Sequence, residues 1–327
     1  MKLAKLFAES GAAAVHLEDQ LHGGKKCGHQ SGKVVVPTKD HIDRLVATRL
    51  QWDILGSNNI LIARTDAESA RLLSSTSDPR DHQDLLGASN KACGISLSQH
   101  LSDLKSKGAT PAQLACDEEE WLETAELMTF EQAAARHIET QKGSATAEKF
   151  VERTKGLTIF QARSLAQELC GETLHWDCEA VRTTEGFYRT RGGIDAAVRR
   201  AIAYAPYADM LWLETSQPTL VEASDYARQI RNVCPDKMLV YNLSPSFNWT
   251  AQGFDDGRLR SFIWDLAKEG FALQLISLAG LHSSGLGMWE LAKAYKDDGM
   301  LAYVNLVQRP ERELGCDVLT HQKWYVA

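Results

Sequence analysis

Five short apolar runs, each ending in polar residues, constrain the fold of this chain more than any other feature. Helical patterns follow or separate these runs, and strands that alternate with helices are typical of a parallel sheet. The runs are Ala12–Glu18, Ile60–Ala63, Met210–Leu213, Met238–Tyr241 and Leu273–Ile276. The helical segments include His41–Leu55, Ile194–Tyr204, Leu220–Val233, Gly257–Lys268 and Met288–Tyr295. In a β/α barrel the polar residues at the carboxyl ends of the strands form the active site, so we expect the functional residues there.

A closed β/α barrel has eight strands, and these runs supply only five of them. Residues 83–175 are polar and rich in Ala and Glu, and their pattern predicts helices at Pro111–Glu126, Phe130–Thr140, Ala147–Thr154 and Phe160–Leu169. We therefore predict an α/β fold with a partial TIM (β/α)8 barrel and a helical insertion. The predicted regions are a barrel segment with a catalytic loop (1–82), the insertion (83–175) and a barrel segment with a substrate-carboxylate site (176–327).

Composition narrows the classes of function. The 327 residues are 44% hydrophobic and 24% charged, with a net charge of −7, which argues against general binding of nucleic acid. No run of 18 apolar residues occurs, so no membrane span is predicted. Seven scattered cysteines without a Cys-x-x-Cys pair indicate free thiols in a reducing compartment rather than disulfides or zinc. A small anionic molecule is the expected ligand.

The run Lys25-Lys26-Cys27-Gly28-His29 is the strongest candidate for chemistry. A free thiol has a pKa near about 8.5, and neighbouring cations lower it, so Cys27 is predicted to be a thiolate or a proton donor near neutral pH. Gly28 allows the backbone to approach a ligand closely. Lys25, Lys26 and His29 would tune the thiol and neutralise substrate carboxylates.

Three strand ends carry further candidates. His16 and Glu18 are two residues apart on a strand, so they share one face; a structural polar pair is the alternative interpretation. Arg64 follows a buried run and can hold a carboxylate through two hydrogen bonds, unless it pairs with Asp66. Glu214 ends another strand as either a ligand contact or a structural partner of Arg64.

The segment after the fourth run predicts a neutral cradle for a carboxylate. Asn242, Ser244 and Ser246 alternate with apolar residues, and period-two spacing would direct their side chains one way. A simple Ser/Pro turn is the alternative interpretation. Ser277, at the end of the fifth run, is expected to complete the cradle.

These motifs together resemble the isocitrate lyase family, which includes the 2-methylisocitrate lyases, and the chain is most like the fungal mitochondrial branch of that family. The matching segments are His16–Gln20, Lys25–His29, Ala63–Asp66, Trp212–Thr215, Asn242–Trp249 and Ser277–Gly280. The resemblance covers nearly all of the chain. It implies an oxo-acid lyase that splits a 2-hydroxy tricarboxylate into a 2-oxoacid and succinate, with Mg²⁺ as cofactor and Mn²⁺ as the alternative.

The resemblance also implies individual roles. Cys27 would protonate the succinate carbon, with His16 and His29 as catalytic partners. Glu18 would hold the waters of the metal, whereas the family's direct aspartate ligands are absent from this chain. The five strands would match the last five of the family barrel. The expected chain is thus a truncated one, and its parent is expected to be a homotetramer.

The substrate prediction depends on one methyl group, a difference worth only about 1–3 kcal/mol in a pocket. Ser277 stands where many isocitrate lyases carry Thr, which leaves room for a substrate methyl, so 2-methylisocitrate is favoured. Its cleavage to pyruvate and succinate belongs to the methylcitrate cycle of propionate catabolism and predicts the mitochondrial matrix. The alternatives are an isocitrate lyase of the glyoxylate cycle, giving glyoxylate and succinate in a peroxisome, glyoxysome or the cytosol, and a truncated non-catalytic remnant.

Overall fold

A computed structural model describes residues 1–24, 32–318 and 320 of the chain. These residues form two compact units. The first contains Met1–Asn242 and Ser246–Leu275, and the second contains Leu243–Pro245 and the chain from Ile276 onward. Five of the predicted site residues lie outside the described residues, namely Lys25, Lys26, Cys27, Gly28 and His29.

The described residues contain ten strands, which are short except in the central sheet. In chain order they are β1 (Ala14–Glu18), β2 (Lys33–Val35), β3 (Ile60–Thr65), β4 (Ala70–Leu73), β5 (Leu86–Ala88), β6 (Leu127–Thr129), β7 (Tyr188–Arg189), β8 (Met210–Leu213), β9 (Met238–Asn242) and β10 (Phe271–Leu275).

The same residues contain thirteen α-helices. In chain order they are α1 (Lys2–Glu9), α2 (Thr38–Leu55), α3 (Leu97–Ser106), α4 (Pro111–Thr124), α5 (Phe130–Lys142), α6 (Ser144–Thr154), α7 (Ile159–Cys170), α8 (Ile194–Tyr204), α9 (Leu220–Val233), α10 (Asp256–Lys268), α11 (Ala279–Asp298), α12 (Met300–Tyr303) and α13 (Arg309–Glu313). Short 3₁₀ turns lie at Pro79–Asp84, Lys91–Cys93 and Ala205–Tyr207.

Within the described residues, five strands form one sheet in the order β1-β3-β8-β9-β10, and every pairing in it is parallel. The five predicted runs therefore form one parallel sheet, and the prediction of an α/β fold is confirmed. Register places Glu18 beside Arg64, and Arg64 beside Trp212. Because paired residues on adjacent strands point to the same side of a sheet, these three side chains share a face.

Each face of this sheet has its own packing. Apolar side chains on the face with Trp212 form a buried cluster of Ile62, Met210, Trp212 and Val240. On alternate positions, buried side chains such as Leu61, Leu211 and Leu239 point to the opposite face. A strand that is buried on both faces has a nearly continuous run of apolar residues in its sequence. These segments could be recognised in the sequence for that reason.

Two predictions about strand ends were wrong. β10 ends at Leu275, so Ser277 lies two residues beyond the strand instead of at its tip. β9 ends at Asn242, and the chain turns at Pro245 and Ser246, so the alternation of Asn242 with the two serines does not continue along a strand. Proline lacks a backbone N–H and favours turns, and this outweighs the period-two pattern.

The predicted insertion is helical for most of its length, with α4, α5, α6 and α7 close to their predicted bounds. The prediction that residues 83–175 contain helices alone was wrong, because β5 and β6 form a short antiparallel pair. Helix α3 was also not predicted. Three-residue strands are too short to show a periodicity that distinguishes them from loops.

A second small sheet joins β2, β4 and β7, and no sequence pattern predicted it. The N-terminal helix α1 is amphipathic, and its Leu3, Leu6 and Phe7 are exposed in the first unit. In the second unit α11 runs for 20 residues, none of them buried. No helix in the described part of the chain is both long and apolar enough to span a bilayer.

Candidate active site

The carboxyl end of the central sheet gathers charged side chains from three adjacent strands. Glu18 ends β1, Arg64 lies near the end of β3, and Glu214 directly follows β8. The Arg64 side chain is only 11% exposed, and those of Glu18 and Glu214 are 14% and 2% exposed. The parallel register of the strands thus brings three residues that are far apart in sequence into one buried cluster.

Arg64 is the centre of this cluster. Its Nε donates to Asp66 Oδ2 at 2.8 Å and its Nη2 to Asp66 Oδ1 at 3.1 Å, a two-point ion pair. Glu18 Oε2 lies 3.4 Å from Nε, and Glu214 Oε2 lies 3.7 Å from Nη2. Asp66 binds the edge of the guanidinium that is formed by Nε and Nη2. Nη1, on the other edge of the guanidinium, makes no hydrogen bond within the described residues. Arg64 can therefore be paired with Asp66 and still bind a carboxylate ligand.

Asp66 is held from two sides. Lys33 Nζ donates to Asp66 Oδ1 at 2.7 Å, and both side chains are fully buried. Burial alone would raise the pKa of Asp66, but the charges and hydrogen bonds of Arg64 and Lys33 lower it further than burial raises it. Burial would likewise lower the pKa of Arg64, and the neighbouring Asp66 outweighs that effect. The pair is therefore fully charged at neutral pH.

A second buried network supports the same strand ends. Asp19 Oδ2 accepts from Thr65 Oγ1 at 2.7 Å and from Arg200 Nη1 at 3.1 Å, and Asp19 Oδ1 accepts from the Asp66 N–H at 2.9 Å. Arg200 Nη2 donates to Asp81 Oδ1 at 2.9 Å. Asp19, directly after β1, is therefore joined to β3 and α8 by these hydrogen bonds.

Trp212 lies between the charged groups. Its ring centroid is 4.6 Å from the guanidinium carbon of Arg64 and 4.8 Å from the ring centroid of His16. Its indole N–H donates to Glu214 Oε2 at 2.9 Å. Glu214 Oε1 accepts from Asn242 Nδ2 at 3.0 Å. Trp212 is buried, and it contacts three of the predicted site residues, Arg64, His16 and Glu214.

Three further predicted site residues, Ser244, Ser246 and Ser277, follow β9 and β10 along the chain. Ser244 and Ser277 belong to the second unit, and Ser246 is exposed on the turn after Pro245. Their role in a carboxylate cradle stays a prediction, as do the roles of the residues 25–29. The sequence did not point to Lys33 or Arg200, since a lysine or arginine among ordinary residues carries no signal of its buried partner.

The described residues do not by themselves accommodate a metal ion. No group of three His, Cys, Asp or Glu side chains in the described ranges is arranged to hold one. Asp19 and Asp66 are fully engaged with cations and hydroxyls, and Glu18 Oε2 lies 3.4 Å from Arg64 Nε, on the edge of the guanidinium that Asp66 also binds. Mg²⁺ prefers six oxygen ligands, so water, the substrate or residues outside the described ranges would have to supply most of them.

Comparison with known proteins agrees with this geometry. The profile of the isocitrate lyase family matches residues 1–327. The chain is 53% identical over 328 residues to a protein named 2-methylisocitrate lyase, mitochondrial, from Hypocrea atroviridis, covering 99% of this chain and 58% of the relative. It is 49% identical over 335 residues to a mitochondrial 2-methylisocitrate lyase of Saccharomyces cerevisiae, covering 99% and 57%. An isocitrate lyase of Oryza sativa is 45% identical over 333 residues, covering 99% and 58%.

The parallel sheet with buried acids and a guanidinium at its carboxyl end defines an α/β protein with a candidate carboxylate-binding site. The match over the whole chain then identifies its family: the chain belongs to the isocitrate lyase family. It spans a little more than half the length of the curated relatives that it matches.

Proposed function

We propose that the protein is a carbon–carbon lyase that cleaves 2-methylisocitrate to pyruvate and succinate. The observation that carries the proposal is the identity of 53% and 49% to two proteins named 2-methylisocitrate lyase, against 45% to one named isocitrate lyase. Ser277, which is smaller than Thr, supports the same substrate. The wider set of relatives supports the reaction type, a lyase acting on a tricarboxylate.

Arg64 is the proposed anchor for a substrate carboxylate. Its Nε edge is held by Asp66, so the free edge is presented in a fixed direction, and a two-point hydrogen bond to a carboxylate fixes the substrate with little further loss of side-chain freedom. Asn242, with the predicted contacts Ser244, Ser246 and Ser277, would bind the succinate half. Lys25, Lys26 and Gly28 would contact the remaining carboxylates.

The proton transfers are assigned to residues that the sequence singled out. Cleavage next to a hydroxyl requires a base for the hydroxyl proton and an acid that protonates the departing carbon. Cys27 is the proposed acid, and His29 beside it tunes the thiol. His16, whose ring centroid lies 4.8 Å from that of Trp212, is the proposed group that orients the substrate or accepts a proton.

Mg²⁺ is the proposed cofactor, and it would stabilise the charge that develops on the substrate oxygens. Glu18 would contact it through water, and direct ligands would have to come from outside the described residues. The partial barrel, its three predicted regions, a homotetrameric parent and a mitochondrial matrix location are likewise proposals; two relatives that are named mitochondrial support the last.

The test is an assay of the longest form of the protein that its gene encodes. With Mg²⁺ present, 2-methylisocitrate and isocitrate are supplied separately, and pyruvate and glyoxylate are measured by coupled reactions. We expect pyruvate formation with the larger kcat/KM. Replacing Cys27 with Ser should leave substrate binding intact and lower turnover by about 10²-fold or more, because a hydroxyl is a far weaker acid than a thiol.

Each other outcome selects an alternative. Faster glyoxylate formation would identify an isocitrate lyase. A cooperatively folded protein that forms neither 2-oxoacid would support the non-catalytic remnant. Full activity of the Cys27→Ser variant would remove Cys27 from the mechanism without affecting the substrate assignment.

A further inference from the structure

The hydrogen bonds of the Glu214 side chain are made with other side chains of the candidate site. It directly follows β8, its side chain is 2% exposed, and its backbone N–H donates to the Thr65 carbonyl at 3.0 Å. Both of its carboxylate oxygens accept hydrogen bonds, Oε2 from the Trp212 indole and Oε1 from Asn242 Nδ2. Together with the 3.7 Å contact between Oε2 and Arg64 Nη2, these bonds join the carboxylate to three side chains of the candidate site.

The two donors are themselves parts of the candidate site. Trp212 presents its ring face to the guanidinium of Arg64 at 4.6 Å, and a cation stacked on an indole is attracted to that face. Rotation of the indole would remove this support. Asn242 can present either its N–H₂ or its carbonyl to a ligand, and the bond to Glu214 determines which.

We propose that Glu214 is a positioning residue: through Trp212 it fixes the plane of the Arg64 guanidinium, and through Asn242 it fixes the direction of the amide. The inference rests on the proposed function, since it specifies how the carboxylate-binding groups of that site are held. It assigns to Glu214 an indirect role in place of the substrate contact that the family resemblance implies.

The chemistry explains why a glutamate is needed. An ionised carboxylate only accepts hydrogen bonds, so it can satisfy two N–H donors at once. A glutamine has the same shape but carries one acceptor and one donor. Its N–H₂ would oppose either the indole N–H or the Asn242 amide, so one bond is lost or the Asn242 amide reverses.

The experiment compares Glu214→Gln with Glu222→Gln, the same chemical change eight residues further along, on α9. Succinate is the binding probe, measured by calorimetry. NMR of the protein without ligand follows solvent exchange of the Trp212 indole N–H and the Arg64 Nε–H. The two signals are assigned with the variants Trp212→Phe and Arg64→Lys.

We expect E214Q to accelerate exchange at both groups. It should also weaken succinate binding by about tenfold, which corresponds to the loss of one hydrogen bond. E222Q should change each quantity by less than about twofold.

A double variant tests whether the two residues act together. Trp212→Phe keeps an aromatic face but removes the indole donor together with part of the buried ring, so it should weaken succinate binding in the same direction. If Trp212 acts through Glu214, the double variant should be no weaker than the more affected single variant. Additive effects, or unchanged NMR exchange in E214Q, would overturn the proposal.

Failure of the proposed function is distinguishable from failure of this inference. A wild-type protein that neither binds succinate nor forms a 2-oxoacid would contradict the function, and the exchange of the Trp212 and Arg64 groups would still decide the positioning role. Should E214Q fail to fold, exchange at Arg64 in W212F decides it: acceleration supports the role of the indole bond, and an unchanged rate refutes it.

Discussion

The carboxyl end of the central sheet and the helical insertion are stabilised in different ways. At the sheet end, buried charged side chains are paired over long separations: Lys33 with Asp66 over 33 residues, and Arg200 with Asp19 over 181. In the insertion, an apolar core that includes Phe130, Ile138 and Phe150 is surrounded by helices. The sheet end therefore depends on complete charge compensation, and the insertion on apolar volume.

The helix starts of the insertion show the contrast at short range. The N-termini of α4, α5 and α7 all carry a capping box, in which a threonine and a glutamine three residues later satisfy each other's backbone N–H groups. Each such cap is complete within four residues of chain. Loss of such a cap lowers the free energy of unfolding only slightly. Loss of one partner of a buried ion pair lowers it more, because the other charge stays buried and uncompensated.

The largest expected effect is at the sheet end. Asp19→Ala removes the carboxylate that Thr65, Arg200 and the Asp66 N–H share, and leaves Arg200 partly unpaired in the interior. We expect the free energy of unfolding, measured by urea denaturation, to fall by about 3–5 kcal/mol. The exposed Asp236→Ala change in the same unit should stay within about 0.5 kcal/mol. A loss for Asp19→Ala as small as that of the control would show that the network contributes little to stability.

An intermediate effect is expected from acid pH. His41 on α2 is fully buried against Tyr204, with no hydrogen-bond partner in the described structure for either ring nitrogen, and burial lowers its pKa from 6.5 to about 4. The folded state thus binds the proton less well than the unfolded state. Stability from this residue is full above pH 6.5 and is lost as the pH falls toward 4, by about 3 kcal/mol in total.

The measurement is the free energy of unfolding at several pH values between 7 and 4, for the wild type and for His41→Leu. The leucine variant should lose less stability over this range, because it has no proton to take up on unfolding. Parallel curves for the two proteins would mean that His41 does not account for the acid sensitivity.

The smallest expected effect is at a helix cap of the insertion. Thr158 Oγ1 accepts from the Gln161 N–H at 3.2 Å, and Gln161 Oε1 accepts from the Thr158 N–H at 2.9 Å. Thr158→Ala should lower the free energy of unfolding by about 1 kcal/mol, while Thr158→Ser, which keeps the hydroxyl, should lose much less. In a double variant with Asp19→Ala, the two losses in the free energy of unfolding should add, because the two sites are independent. A strong departure from additivity would contradict the separation of the two regions.

Much of the fold could be predicted because its signals are local. The apolar runs of the central sheet and helices such as α8 and α9 were predicted at or near their observed bounds, since periodicity and chain breakers act within a few residues. The small sheet of β2, β4 and β7 was missed, because its strands are two to four residues long and are defined by their partners. Of the serines after Asn242, Ser246 lies on the turn at Pro245, as the alternative of a Ser/Pro turn predicted, and their role in a carboxylate cradle stays a prediction.

For the candidate site, the amino-acid sequence by itself determined which residue types stand at the strand ends: an arginine in β3, acids after β1 and β8, and an asparagine that ends β9. Only the tertiary structure decided their partners, Asp66 and Lys33 for Arg64, and Trp212 with Asn242 for Glu214. The reason is physical. A local pattern depends on neighbours in the chain, whereas the energy of a buried charge depends on groups that only the register of distant strands brings within hydrogen-bond distance.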